Sequence, residues 1–250
     1  EVIAPGTVII SAGGNCTDIR KVVEPVLQRD GGSIYYINLS QDDFKLGGSS
    51  FAQTLNTIGN EVPTIKDAAF FKRAFNTIQE LILDNNILAG HDIGSGGLIT
   101  TLLEMCFADV NLGAKIDFSV FEEKDIIKYL FAENIGIVFQ AKSDAEVESK
   151  LNTNNVSFYK LGSATNEATL DFGPCTLDIA KYRDVWYKTS FLLDQKQSKN
   201  GTAQARFDNY KNQALHYTFP THFTGKKPVI DNSKPKPKAA IIREKGSNSE

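Results

Sequence analysis

Short apolar runs of strand type mix with amphipathic runs of helix type along this chain without strict alternation, and that pattern constrains the fold most. Residues 7–11 (TVIIS) and 33–40 (SIYYINLS) are β-branched or aromatic runs bounded by Gly and Asp, which predicts strands. Between them Asp18 precedes IRKVVEPVL, a helix-like stretch that Pro25 kinks or ends. The spacing predicts a helix over 64–84, with Phe71, Phe75, Ile78 and Ile82 on its buried face and Asp67 as its cap. A second helix is expected over 97–108, where Leu98, Leu102, Met105 and Cys106 share a face and Glu104 points elsewhere. Helices at 125–131 and 144–151 flank a strand at 135–140 (IGIVFQ), and strands at 155–161 and 168–172 precede a helix at 177–193 that carries Trp186. Such a mixture predicts an α+β protein, a mixed sheet with helices packed on it, and disfavours a doubly wound parallel fold.

Composition narrows the classes further. Of 250 residues, 41% are hydrophobic and 23% charged, which excludes a wholly disordered or collagen-like chain. No stretch approaches about 18 uninterrupted apolar residues, and the start EVIAPGTVII lacks a basic n-region with a long apolar core. A soluble, cytoplasmic protein without a membrane partner is expected. Cys16, Cys106 and Cys175 lie far apart with no C-x-x-C pair, so buried thiols are expected in place of disulfides or a cysteine zinc site. The net charge of −3 divides into about +4 from Gly225 onward and about −7 before it. An acidic body lacks the cationic footprint of nucleic-acid binding. The lysines of the tail interleave with prolines (KKPVIDNSKPKPKA), the composition of an extended linker. Polarity rises at 194–201 (DQKQSKNG), and residues 202–224 hold aromatics without periodicity, so a body at 1–193 and a linker at 194–237 are expected. Met105 is the only methionine and residue 1 is Glu, which is expected of a chain processed or cut from something longer. The last residues, KAAIIREKGSNSE, run from an apolar strand-like piece into a turn, as if a new domain were being entered at 238–250.

The residues richest in chemistry are Gly90-His91-Asp92-Ile93-Gly94-Ser95-Gly96-Gly97, directly before the helix that starts near Leu98. Small residues at a helix start let backbone N–H groups approach an anion, and the helix dipole adds about half a positive charge there. Asp92 is a hard oxygen ligand of the kind Mg²⁺ shares with phosphate oxygens. Glycine turns before helices are also ordinary packing devices, and the run is neither a Walker A loop nor a Rossmann fingerprint. His91 admits two readings, a catalytic base or a ring that holds the loop by a hydrogen bond. His216 and His222 have no acidic or cysteine neighbours at ligand spacing. Gly47, Gly48 and Ser49, with Lys45 beside them, form either a small anion-binding nest or a tight turn into a helix. Glu133 and Asn134, before IGIVFQ, are a further polar pair at a position where a helix end predicts polar residues anyway.

LGGSSFAQ at 46–53, GHDIGSGGLITTLLEMCFA at 90–108, LFAENIGIVFQA at 130–141 and the closing KAAIIREKGSNSE resemble, in order and spacing, the phosphoribosylformylglycinamidine synthase family. The first three blocks resemble the last synthetase subdomain of that family, and the fourth resembles the first strand and loop of its glutamine amidotransferase domain. The resemblance implies the α+β fold of the C-terminal domain of the aminoimidazole ribonucleotide synthetase superfamily. It implies a ligase of purine biosynthesis that uses ATP, Mg²⁺ and ammonia from glutamine to convert formylglycinamide ribonucleotide to the amidine. The partners implied are the remaining synthetase subdomains and the glutaminase domain of the same polypeptide.

In the long form of that family the second synthetase half holds an auxiliary nucleotide, ATP or ADP, with Mg²⁺. The family's H-D-x-S-D-G-G-L loop falls on His91 to Leu98, its metal-ligand aspartate on Asp92 and its nucleotide-contacting serine on Gly94. The following aspartate falls on Ser95. These two departures remove a side-chain contact and a negative charge, leaving the backbone at Gly94, Ser95, Gly96 and Gly97 to face a nucleotide. The glutaminase nucleophile and its His/Glu pair belong far downstream of the first strand, so no amidotransferase chemistry is expected of these 250 residues alone. Two other readings stand beside this one, the C-terminal subdomain of another ATP-dependent enzyme of the superfamily and an architectural interaction module.

Overall fold

A computed structural model describes residues 11–16, 18–212, 218–226, 229, 231, 233–236, 238 and 240. Most of the expected strand at 7–11 and of the expected new domain at 238–250 lies outside the described residues. Lys21–Thr218 form one compact unit; Glu1–Arg20 with Phe219–Glu250 form another, in which the Ile19 amide donates to the Gly225 carbonyl at 2.9 Å and Asp18 bridges to Lys226.

The larger unit is an α+β body around a seven-stranded mixed sheet. In chain order its elements are β1 (Ile34–Asn38), α1 (Ser50–Thr54), α2 (Ala68–Leu83), β2 (Ile87–Asp92), α3 (Gly97–Glu104), β3 (Gly113–Ile116) and α4 (Ile126–Phe131). There follow β4 (Gly136–Ala141), α5 (Asp144–Thr153), β5 (Tyr159–Thr165), β6 (Thr169–Asp171), β7 (Thr176–Asp178), α6 (Ile179–Gln197) and α7 (Thr202–Asn209). The strand order is β2-β4-β1-β5-β3-β6-β7, with only β3 and β6 parallel.

Side chains alternate across a strand, so each strand feeds two cores. Ile34 and Tyr36 of β1 join Val138, Leu98, Leu102 and Leu130 on the face covered by α3, α4 and α6, while Tyr35 and Ile37 join Phe139, Phe70, Leu81 and Val147 on the face of α2 and α5. Every residue of β1 is buried, as a central strand covered on both faces requires.

Asp67 caps α2 by accepting from the amides of Ala69 and Phe70 at 2.9 Å each. The buried stripe of that helix is Phe70, Ala74, Thr77, Ile78 and Leu81, one residue round from the expected Phe71–Phe75–Ile78–Ile82 stripe. Phe75 is 50% exposed. Two apolar stripes interleave in this sequence, and the one carrying small Ala74 lets the helix approach the sheet more closely. The α3 stripe of Leu98, Leu102, Met105 and Cys106 is buried as expected. Of the cysteines only Cys106 is buried, which pushes its thiol up to about 12; Cys16 and Cys175 are exposed, the latter at the turn between β6 and β7. At 18–27 the expected helix is reduced to a 3-10 turn at Ile19–Lys21, and the Glu24 carbonyl accepts from Gly90 at the open edge of β2.

Helix α6 runs through residue 193, where composition placed the end of the body. Gly201, at φ 86, starts α7, which folds back on α6 through an Arg206–Asp194 pair and a Tyr187–Tyr210 stack at 4.1 Å. Residues 194–212 thus belong to the same compact unit. Among the described residues no helix is long and apolar enough to cross a membrane.

Candidate functional site

Strand β2 delivers His91 and Asp92 to one end of the sheet, opposite Val138 and Ile137 of β4. The Asp92 backbone is fixed: the Ile93 amide donates to Gly136 at 3.0 Å, and the Asp92 carbonyl accepts from Thr101 Oγ1 at 3.2 Å and from His91 Nδ1 at 2.8 Å. Oδ1 of the Asp92 carboxylate lies 3.4 Å from His91 Nδ1, and the side chain is otherwise open to solvent, 87% exposed.

His91 Nε2 faces Glu104 Oε2 at 3.2 Å, and Glu104 Oε1 accepts from Trp186 Nε1 at 2.7 Å. Both ring nitrogens therefore face acceptors, and the Glu104 hydrogen bond raises the imidazole above its ordinary range. With a backbone carbonyl against one nitrogen and Glu104 against the other, the ring has the contacts of the loop-holding reading. On one side of it lies a cleft of about 660 Å³ lined by Glu104, Phe107, Arg183, Trp186 and Tyr210. On the other lies an apolar hollow of about 450 Å³ lined by Val23, Ile78, Ile82, Ile87 and Phe139.

The turn between β2 and α3 divides into two pairs of residues. Gly94 and Ser95 are exposed, and their amides make no hydrogen bond among the described residues. Gly96 and Gly97 have φ of +90° and +72°, which glycine adopts without strain. Their amides are spent, Gly97 on the Gly94 carbonyl at 3.1 Å and Gly96 on Glu133 Oε1 at 2.8 Å. A Cβ on Gly97 would stand 2.7 Å from the Leu130 carbonyl, so this glycine lets α3 seat against the end of α4.

The other glycine turn is closed on itself. The amides of Gly47, Gly48 and Ser49 donate to the carbonyls of Glu61 (2.8 Å), Ile58 (2.7 Å) and Leu46 (3.2 Å). Ser49 Oγ caps α1 by accepting from Ala52, and Lys45 is paired with Asp42 at 3.0 Å. No amide of this turn faces outward with an unspent proton, so its glycines serve a tight turn. The next amide, that of Ser50, donates to Glu133 Oε1 at 2.8 Å. The structure thus gathers both glycine turns around one carboxylate.

Sequence reasoning singled out Glu133 only as a polar residue at a helix end. It did not find the Glu104–His91–Trp186 chain, because no local spacing links residues 82 positions apart. Among the described residues no group of three or more His, Cys, Asp or Glu is placed to hold a metal ion by itself. Asp92 as a single exposed carboxylate fits the other mode of binding, in which Mg²⁺ keeps waters and takes one or two carboxylates plus the phosphates of its substrate.

Residues 29–173 match the family model described as AIR synthase related protein, C-terminal domain. The chain belongs to that family. Over its whole length this AIR synthase related chain is 33% identical to the probable phosphoribosylformylglycinamidine synthase, chloroplastic/mitochondrial, of Arabidopsis thaliana and 32% identical to phosphoribosylformylglycinamidine synthase of Homo sapiens. It spans only 18% and 19% of those proteins' lengths. The solved structure of T. maritima PurL complexed with FGAR superposes on 66% of this chain and 30% of its own, with a TM-score of 0.50 at 15% identity, a likeness of fold. The mixed α+β sheet and the family read from the four sequence blocks are both borne out.

Proposed function

We propose that this AIR synthase related domain is the C-terminal subdomain of the second synthetase half of a phosphoribosylformylglycinamidine synthase, and that it lends its Asp92–Gly97 turn to a Mg²⁺–nucleotide site completed by neighbouring subdomains. The whole enzyme would join formylglycinamide ribonucleotide and ammonia from glutamine at the expense of ATP, in the cytoplasm. Its remaining synthetase subdomains and glutaminase domain are this chain's partners, with the start of the glutaminase domain at 238–250.

The observation that carries this reading is the pairing of two unspent, exposed amides, Gly94 and Ser95, with the solvent-exposed carboxylate of Asp92 at the head of α3. Oxygens of a bound phosphate would take the amides, and Asp92 would hold the metal that neutralises them. Gly96 and Gly97 shape the turn, and the closed turn at Gly47, Gly48 and Ser49 braces it from the side. The full-length names of the relatives favour this enzyme over other ATP-dependent members of the superfamily.

Calorimetric titration of Mg·ADP into the intact polypeptide tests the reading. Asp92→Ala is expected to weaken binding by about 30-fold or more, since losing one partner of a desolvated charge pair costs about 2–5 kcal/mol and each ~1.4 kcal/mol is tenfold. Equal binding by the wild type and the variant, or no binding by either, would leave the domain an architectural module.

A further inference from the structure

We propose that Glu133 is a positioning residue that locks the two glycine turns into one unit, so that whatever orders the Gly94–Ser95 turn also orders residues 46–53. The link to nucleotide rests on the function proposed above; the lock itself does not.

Glu133 lies in the connection between α4 and β4, between buried Ala132 and buried Asn134, which fixes the direction of its side chain. One oxygen, Oε1, accepts from the Ser50 amide and from the Gly96 amide, each at 2.8 Å. Two nitrogens at that distance from one oxygen cannot be more than twice 2.8 Å apart, so the carboxylate sets the spacing of the turns directly. Glu133 makes no ion pair among the described residues. Its charge is met by the N–H ends of two helices, α1 and α3, and charge-assisted bonds of this kind are stronger than neutral ones.

The neighbouring residue holds the far side of the same segment. Asn134 Nδ2 donates to Ser40 Oγ, the Asp42 carbonyl and the Asp43 carbonyl at 3.0, 3.2 and 3.1 Å. Phe51 of α1 stacks on Phe131 of α4 at 4.8 Å, which keeps Ser50 within reach of Glu133. The stretch from Asp42 to Ser50 is thus tied at both ends to the α4–β4 connection, and its second tie is shared with Gly96. Ser95, whose amide is unspent, is the residue immediately before Gly96. A ligand that immobilises Ser95 must immobilise the Gly96 amide, hence Glu133, hence Ser50.

Hydrogen exchange followed by mass spectrometry on the intact polypeptide, with and without Mg·ADP, tests this for the wild type, Glu133→Ala and Glu133→Gln. In the wild type Mg·ADP should slow exchange in both 93–97 and 46–53. Glu133→Ala should raise exchange at Ser50 and Gly96 without ligand by about tenfold or more, because each amide loses its acceptor. It should also abolish the ligand effect on 46–53 and weaken Mg·ADP binding by roughly 10-fold, as loss of an orienting group behind a ligand does. Glu133→Gln keeps an acceptor oxygen and should restore the coupling. Should the alanine variant fail to fold, Glu133→Asp, one methylene too short to reach both amides, should show the same split. Unchanged exchange at Ser50 and Gly96 in Glu133→Ala overturns the lock, whatever the ligand does. Faster exchange there with no ligand protection anywhere, in any variant, keeps the lock and overturns the nucleotide reading.

Discussion

Gly97→Ala is expected to destabilise the domain by about 3 kcal/mol and to lower its melting temperature by about 6–12 °C. Two costs combine at this position. The backbone sits at φ +72°, and a methyl group would stand 2.7 Å from the Leu130 carbonyl and 2.8 Å from the Phe131 backbone. Because those atoms are backbone, α3 and α4 must separate to admit it. Gly173 isolates the first cost, since it has φ +85° with nothing within 4 Å of the site of a Cβ. Gly173→Ala should therefore lose only about 1 kcal/mol. Denaturant melts of the two variants give the contact cost as their difference. Equal losses would mean that α3 and α4 separate at little cost, and that Gly97 is glycine for backbone conformation alone.

Asp42→Ala should be as costly, about 3 kcal/mol, because it removes one partner of a buried charge network. The Asp42 side chain is only 2% exposed and accepts from Lys45 at 3.0 Å, from the Thr64 amide at 3.0 Å and from the Asp43 amide at 2.9 Å. Those bonds close the 42–66 segment that carries Gly47, Gly48 and Ser49. Burial works to raise the Asp42 carboxyl, but the bonds from Lys45, Thr64 and Asp43 outweigh it and hold the group below its ordinary 3.8. A folded value below the unfolded one means that the stabilisation is fully present above the ordinary range and is lost as pH falls through the lowered value. The stability gap between wild type and Asp42→Asn should accordingly be constant near neutrality and narrow under acid. A gap that stays constant into acid would show that the carboxylate charge contributes nothing.

What could be read from sequence was whatever depends on neighbours in the chain. The Asp67 cap, the Leu98–Leu102–Met105–Cys106 stripe and the run feeding β1 are local patterns, and each appears as expected. Strands β2 and β3 were not anticipated. ILAGHD and GAKI are short, contain glycine and carry little β-branched character, and they are strands because β4 and β5 offer them partners. The wrong stripe of α2 has a similar origin, since two apolar faces compete in AAFFKRAFNTIQELIL and only the approach of the sheet decides between them. Helix α7 was hidden by aromatics whose partners, Tyr187 and Phe191, lie on α6.

The candidate site divides along the same line. Asp92 and its glycines stood out because their chemistry is contiguous. That Gly96 is spent on Glu133 while Gly94 and Ser95 are free depends on a residue 37 positions away, which no spacing rule reaches. Likewise Gly47, Gly48 and Ser49 read equally well as a nest or a turn until their amides are seen to end on Leu46, Ile58 and Glu61.

The most direct test is a crystal structure of the intact polypeptide grown with Mg·ADP. Phosphate oxygens about 3 Å from the Gly94 and Ser95 amides, with the metal on the Asp92 carboxylate, are the expected result. Nucleotide bound elsewhere, with Asp92 and both amides facing only solvent or a neighbouring subdomain, would contradict it.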